Sequence, residues 1–213
     1  MVETSVERAA MSKDLASLTD SLKTRNLQLQ DARRQLAEQA TIDEMTGLRN
    51  RRGVNIIIND ELARMKRMQL PIAVIALDVD HFKTYNDNYG HPAGDQVLQQ
   101  LANVMLEMTS RAGEFAARMG GEEFVLFYPT VNRTAALELA EELRMKVLGL
   151  KIPHEKSLTA EYVTVSIGVI SCVPEWELEF DTLLKAADDA LYLSKTSGRN
   201  RVTCGELEAS DPS

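Results

Sequence analysis

Two short apolar-aromatic runs, Phe115–Met119 and Phe124–Tyr128, are joined through Gly120-Gly121-Glu122-Glu123, and this joint limits the fold of the chain more than any other feature. Runs of this length linked through Gly-Gly read as a β-hairpin, because glycine accepts the positive φ that a tight turn demands. The two carboxylates are therefore expected at a hairpin tip. Bare backbone at the glycines lets a bulky ligand come close, and Glu122 and Glu123 offer the hard oxygen donors that suit Mg²⁺, the usual companion of nucleotide phosphates.

A second acidic site, Asp78-Val79-Asp80, follows the unbroken apolar run Ile72–Leu77, which Pro71 precedes. Such a run reads as a central strand buried on both faces, with acids at its end. Side chains alternate along a strand, so Asp78 and Asp80 share one face, and the Val79 side chain points to the other and leaves its carbonyl available as a ligand. Crowding Asp78 against Glu122 and Glu123 is costly, and a divalent metal would relieve it. On spacing alone, a solvated strand end beside an acidic hairpin is an equally good reading.

Further motifs follow in order: Asp43–Arg52 (DEMTGLRNRR), Leu77–Lys83 (LDVDHFK), Asn86–His91 with Gly94-Asp95, Arg118–Phe124 (RMGGEEF), Thr164–Gly168 (TVSIG) and Lys195–Asn200 (KTSGRN). Together they resemble the GGDEF family of diguanylate cyclases in its GGEEF form, over about Asp43–Val202. Six motifs in the right order make chance agreement very unlikely, whereas any one alone would be weak.

Length agrees with one catalytic domain and an appendage, since 213 residues exceed the commonest domain size of about 100–150. With 44% hydrophobic residues the chain can bury a core, and its net charge of −8 argues against a nucleic-acid partner. No apolar run approaches the roughly 20 residues of a membrane span, and no signal-peptide pattern opens the chain. Cys172 and Cys204 lack metal or redox spacing and read as free thiols of a reducing cytoplasm. A cytoplasmic, bacterial protein is the expectation the resemblance adds.

The first forty residues are organised differently. Leu15, Leu22, Leu29 and Leu36 recur every seventh residue with Met11, Leu18 and Ala32 between them, and neither Pro nor Gly appears before Gly47. This is a coiled-coil seam, imperfect at Arg8, Arg25 and Gln39. A parallel dimeric stalk is the preferred reading over a lone amphipathic helix packed on its own domain. The expected division is a stalk helix over 1–42, a catalytic domain over 43–205 and a frayed acidic tail over 206–213. Because stalks of this kind often follow a sensor in relatives, the chain reads as a fragment or a stalk-only protein.

Beyond the stalk, the pattern predicts helices over 50–68, 93–109, 133–148 and 180–197, and strands over 72–78, 115–119, 124–128, 162–169 and 201–203. Strands and helices alternate except at the hairpin, so a mixed, partly antiparallel sheet covered by helices follows: an α/β (α+β) fold. The resemblance adds a palm-like architecture related to nucleotidyl cyclases.

The resemblance also implies the chemistry. Two GTP molecules are condensed into cyclic di-GMP and two pyrophosphates, each 3′-hydroxyl attacking the α-phosphate of the other nucleotide. Asp78, the Val79 carbonyl, Glu122 and Glu123 would hold Mg²⁺, with Mn²⁺ as an alternative, and Glu122 would also take the 3′-hydroxyl proton. Asp95 can accept from guanine N1–H and its exocyclic amine, and Asn86 can match the acceptor edge, which favours GTP over ATP. A turn role for Asn86 and a helix-cap role for Asp95 are the plain alternatives. Lys83, Lys195 and Arg199 are the candidate phosphate cations, with helix-dipole pairing as their plain alternative. Phe82–His91 would supply backbone amides around the phosphates, and His91 buttresses that loop or touches nucleotide. His81 and His154 look incidental, and Arg118 serves a structural ion pair or a substrate contact equally well.

Many members of the family carry an Arg-x-x-Asp product-inhibition site before the signature; here the matching residues are Arg111 and Glu114, which predicts weakened product inhibition. A two-fold symmetric product needs two half-sites, so a homodimer through the stalk, or a tetramer, is expected. The alternatives are a catalytically silent GTP or cyclic di-GMP receptor or assembly module, and an enzyme making another cyclic dinucleotide, which Asp95 disfavours.

Overall fold

The computed structural model describes residues 40–207, together with Thr19, Leu22, Lys23, Arg25 and Asn26, which are helical and exposed. Apart from Leu22 and Arg25, the seam positions of the expected stalk lie outside the described residues, as does 208–213. Contacts divide the chain into two units, Met1–Ala40 and Thr41–Ser213.

The second unit is built on β2 (Ile72–Val79), whose eight residues are all buried. Alternation along it feeds two cores: Ala73, Ile75, Leu77 and Val79 enter one, and Ile72, Val74 and Ala76 the other. A strand apolar on both faces is stable only when helices cover both sides. The chain supplies α1 (Arg51–Met68) on the second face. The first face takes α2 (Phe82–Tyr89), α3 (His91–Met108) and α4 (Arg133–Gly149), while α5 (Phe180–Thr196) returns to the second. Side chains cap two of these helices: Asn50 accepts from the Gly53 N–H and Asn132 from the Ala135 N–H.

The remaining strands are β1 (Arg49–Asn50), β3 (Phe115–Gly120), β4 (Glu123–Pro129), β5 (Val165–Cys172) and β6 (Val202–Cys204), giving a six-stranded sheet in the order β1-β3-β4-β2-β5-β6. β1 with β3 and β5 with β6 are parallel; the three central pairings are antiparallel. The fold is thus a mixed α/β sheet flanked by helices, as the element order implies.

Three differences from the sequence reading bear on the site. The stretch Phe82–Tyr89, expected as a phosphate-binding loop, is a helix, so by helix geometry only its first-turn amides lack intrahelical partners. The hairpin tip is tighter than expected: Gly120 pairs with Glu123, so Glu123 opens β4 and Glu122 alone of the two acids sits in the turn, beside Gly121 at φ 52°. The strand expected over 162–169 begins at Val165, because Tyr162 bridges Pro153 and the Val163 N–H donates to the Ile152 carbonyl. No helix among the described residues is long and apolar enough to cross a membrane.

Candidate active site

Antiparallel register brings the two acidic motifs together. Asp78, the penultimate residue of β2, is the cross-strand partner of Glu123 at the start of β4. Lys195, in the last turn of α5, places Nζ 2.8 Å from Asp78 Oδ2. Lys195 therefore does more than complement a helix dipole. Burial pushes the Asp78 carboxyl up to about 6, with Lys195 opposing the rise and Glu122 and Glu123 adding to it. The position carries more negative charge than one lysine neutralises.

Asp80 is committed to the protein itself. Its buried carboxylate accepts from Thr164 Oγ1 at 2.7 Å, Ser166 Oγ at 2.6 Å and the Asn200 N–H at 3.0 Å. Those bonds tie the end of β2 to β5 and to the loop after α5. That loop passes Arg199 and Asn200 through left-handed backbone at φ 63° and 46°, and Arg144 holds Asn200 Oδ1 at 2.7 Å. Arg199, half-buried, stands near enough to His81 to hold its imidazole pKa down, second to burial as a cause.

The hairpin tip is anchored from below. Arg118 Nε donates to the Gly121 carbonyl at 2.8 Å, and its NH1 reaches both Asp43 oxygens at 3.3 Å. Of the two roles open to Arg118, the structural pair is the one formed. Asp43 also accepts from the Thr46 N–H and Oγ1; burial raises its carboxyl, but Thr46 and Arg118 outweigh this and hold it below the usual value.

On the opposite face, α2 carries Asn86 and packs against α3, which carries Asp95. Asn86 Oδ1 is buried without a hydrogen-bond partner, and a Cβ at Gly94 would stand 1.9 Å from it. The missing side chain at Gly94 leaves Asn86 its place, and an orphaned buried acceptor fits a ligand that donates to it. Lys83, His91 and Asp95 are exposed, and Phe82 is buried beside Gly94. The structure thus gathers Asp78, Glu123 and Lys195 at one end of the sheet, with Val79 and Glu122 next in chain to the two acids, and sets Asn86 and Asp95 on neighbouring helices.

Among the described residues no three His, Cys, Asp or Glu side chains converge closely enough to enclose a metal. The donor set still fits Mg²⁺, which is held by one or two carboxylates and fills its remaining positions with water and phosphate. Two opposed carboxylates, of which Asp78 has a raised pKa and is neutralised in part by an ammonium, are what such a cation would relieve.

Sequence reasoning missed three features. His154, taken as incidental, is buried and engages α2. A cleft of about 270 Å³ lined by Arg51, Met119, Glu123, Asp188, Tyr192 and Lys195 adjoins the acids. The Asp188 carboxyl rises there, through desolvation first and then Glu123 and Asp189, against Lys195 and Arg51. Neither the cleft nor the histidine has a local sequence signal. Arg111 and Glu114 occupy the turn before β3, where Glu114 Oε2 accepts from the Arg111 N–H at 3.0 Å.

Residues 40–201 match the family described as diguanylate cyclase, GGDEF domain. The response regulator PleD of Caulobacter vibrioides is 38% identical over 167 residues, covering 78% of this chain and 36% of PleD. The diguanylate cyclase DosC of Escherichia coli is 32% identical over 161 residues, covering 76% of this chain and 34% of DosC. The chain thus spans about a third of the length of these curated relatives. The crystal structure of the coiled coil and GGDEF domain of DgcB from Caulobacter crescentus, in complex with c-di-GMP, superposes with TM-score 0.70 at 32% identity, covering 89% of this chain and 98% of that one. Family match, sheet order and the pairing of the two acidic motifs agree, and the chain belongs to the GGDEF-domain family of diguanylate cyclases.

Proposed function

We propose that this chain condenses two GTP into cyclic di-GMP and two pyrophosphates at a site formed between two protomers. The observation that carries the proposal is the cross-strand pairing of Asp78 with Glu123, with Lys195 on Asp78. Asp78, the Val79 carbonyl, Glu122 and Glu123 would hold Mg²⁺, or Mn²⁺ in its stead. When bound, the ion neutralises triphosphate charge and lowers the pKa of a nearby hydroxyl.

The chain's own residues do the rest. Asn86 and Asp95 take the guanine edge, Asn86 by donating its side-chain amide N–H to the acceptor edge and Asp95 by accepting from N1–H and the amine. Lys83, Lys195 and Arg199 answer phosphate charge, the first-turn amides after Phe82 add donors, and His91 borders the nucleotide from the start of α3. Lys195, which holds Asp78 at 2.8 Å, would be free to meet the triphosphate were a cation to neutralise the acids. Glu122, in the hairpin turn, accepts the 3′-hydroxyl proton.

Because each half-site binds one nucleotide, the working unit is a homodimer, assembled through the N-terminal coiled coil and able to pair into a tetramer; the bacterial cytoplasm supplies GTP. The DgcB structure, described as coiled coil plus GGDEF domain with c-di-GMP, supports that arrangement. Purified protein incubated with Mg²⁺ and GTP should yield cyclic di-GMP on chromatography, and ATP should yield no cyclic product. A protein that binds GTP without turnover would refute the proposal.

A further inference from the structure

His154 has no part in the chemistry above, yet it is 1% exposed, in the segment between α4 and β5. Its Nε2 lies 3.3 Å from the His81 carbonyl, and its ring meets Tyr85 edge-on with centroids 5.1 Å apart. Because a carbonyl only accepts, Nε2 must carry the proton, which leaves Nδ1 bare; that nitrogen is buried without a partner. A second proton there would create a buried cation with no acceptor. His154 is therefore a neutral donor aimed at one carbonyl.

That carbonyl occupies a critical place. His81 turns the chain from the end of β2, which carries Asp78 and Val79, into α2, which carries Phe82, Lys83 and Asn86. It does so in left-handed backbone, φ 56° and ψ 29°, a conformation that a residue with a Cβ holds only when its surroundings impose it. The same segment holds both ends of this residue: His154 takes the carbonyl, which also accepts the Tyr85 N–H at 3.0 Å, and Thr159 Oγ1 lies 3.1 Å from His81 Nε2. At the far end of α2, the Tyr89 hydroxyl accepts from the Glu155 N–H at 3.1 Å.

An eight-residue helix is marginal by itself, and only Phe82 and Tyr85 of α2 are buried. Three contacts from residues 154–159, and the ring of His154 on Tyr85, thus brace the helix from His81 to Tyr89.

We infer that the segment 152–163 is a brace for α2, and that His154 is the positioning residue that sets Phe82, Lys83 and Asn86 for nucleotide binding. The inference rests on reading α2 as a nucleotide-binding element. Losing one donor to a shared carbonyl should weaken binding by about 3- to 10-fold and leave the chemical step alone.

Two variants separate the donor from the ring. His154→Phe keeps an aromatic face on Tyr85 without the N–H; His154→Gln returns an N–H near the same place. In the full chain, His154→Phe should raise KM for GTP about 3- to 10-fold with kcat within about twofold, and His154→Gln should restore KM to within about twofold. Amide hydrogen exchange over 82–89, measured without nucleotide, should rise in His154→Phe and return in His154→Gln. Thr159→Val, which removes the other tie without touching the core, should shift KM and exchange in the same direction by less; it decides the matter should His154→Phe fail to fold. Unchanged KM and exchange in the variants that fold, or equal kcat losses in the Phe and Gln variants, would overturn the inference. If wild type turns over no GTP, the proposed function fails, and the exchange data still decide whether the brace exists.

Discussion

Asp78 faces Glu123 across the β2–β4 ladder while its Oδ2 takes a 2.8 Å contact from Lys195 Nζ, so one cation answers two opposed acids. The Asp78 carboxyl rises to about 6 from 3.8, burial being the largest cause. An acid whose folded pKa exceeds its unfolded one favours the fold when protonated. The cost of ionising it is absent below about pH 4, grows toward pH 6 and is complete above that. Asp78→Asn removes that cost. Metal-free, the variant should be more stable than wild type at pH 7.5 by on the order of 1–3 kcal/mol, with no advantage near pH 4. Urea titrations with a chelator at both pH values check this, and an equal difference at the two would reject it.

The same charge balance makes a statement about metal. If Mg²⁺ relieves the repulsion at Asp78, millimolar Mg²⁺ should raise the thermal midpoint of wild type and leave that of Asp78→Asn unmoved, since binding to the native state alone stabilises it. Calorimetry with and without chelator reads both. Equal shifts in the two proteins would place the binding elsewhere.

At Gly94 the issue is space. A Cβ there would stand 1.9 Å from Asn86 Oδ1 and 3.1 Å from the Phe82 ring. The Asn86 amide is the end of a flexible side chain and can rotate away, and alanine is the better helix former by up to about 1 kcal/mol. Gly94→Ala should therefore change folding stability by no more than about 1 kcal/mol while raising KM for GTP at least tenfold, on the order of one lost charge-free hydrogen-bonding group. Initial-rate kinetics beside a denaturation curve separate the two effects; a large stability loss with KM intact would show that the backbone had moved instead.

Much of this was legible in the sequence, and the reason is local. β2 announces itself by an apolar run ending in charge, and the hairpin by its glycines, because burial and turn geometry are encoded in adjacent residues. The pairing of Asp78 with Glu123 follows once both strands are recognised as neighbours. What could not be read depends on contacts across long sequence separations. His154 meets His81 across 73 residues, and Asp80 meets the Asn200 N–H across 120. The helix at Phe82–Tyr89 was hidden by its polar composition and by the lack of a capping side chain at the left-handed His81. Nothing in Arg111-Ala-Gly-Glu114 indicates that Glu114 turns inward.

That inward turn sets the last expectation. The Glu114 side chain is 7% exposed and Arg111 is 84% exposed, with their charged ends 4.0 Å apart, and Glu114 Oε2 is already committed to the Arg111 N–H. An acidic group spent on the backbone is poorly available to the guanine of a bound product, whereas the Arg111 guanidinium projects freely enough to pair with guanine or phosphate. Product inhibition should then be weak and rest on Arg111 alone. In Arg111→Ala, the cyclic di-GMP concentration for half-inhibition should rise about 3- to 10-fold, the size of one exposed charge-assisted bond. Progress curves with added product measure it. Identical, insensitive curves for wild type and variant would remove this turn as a regulatory site, and a change of a hundredfold would mean that Glu114 leaves the backbone and joins in.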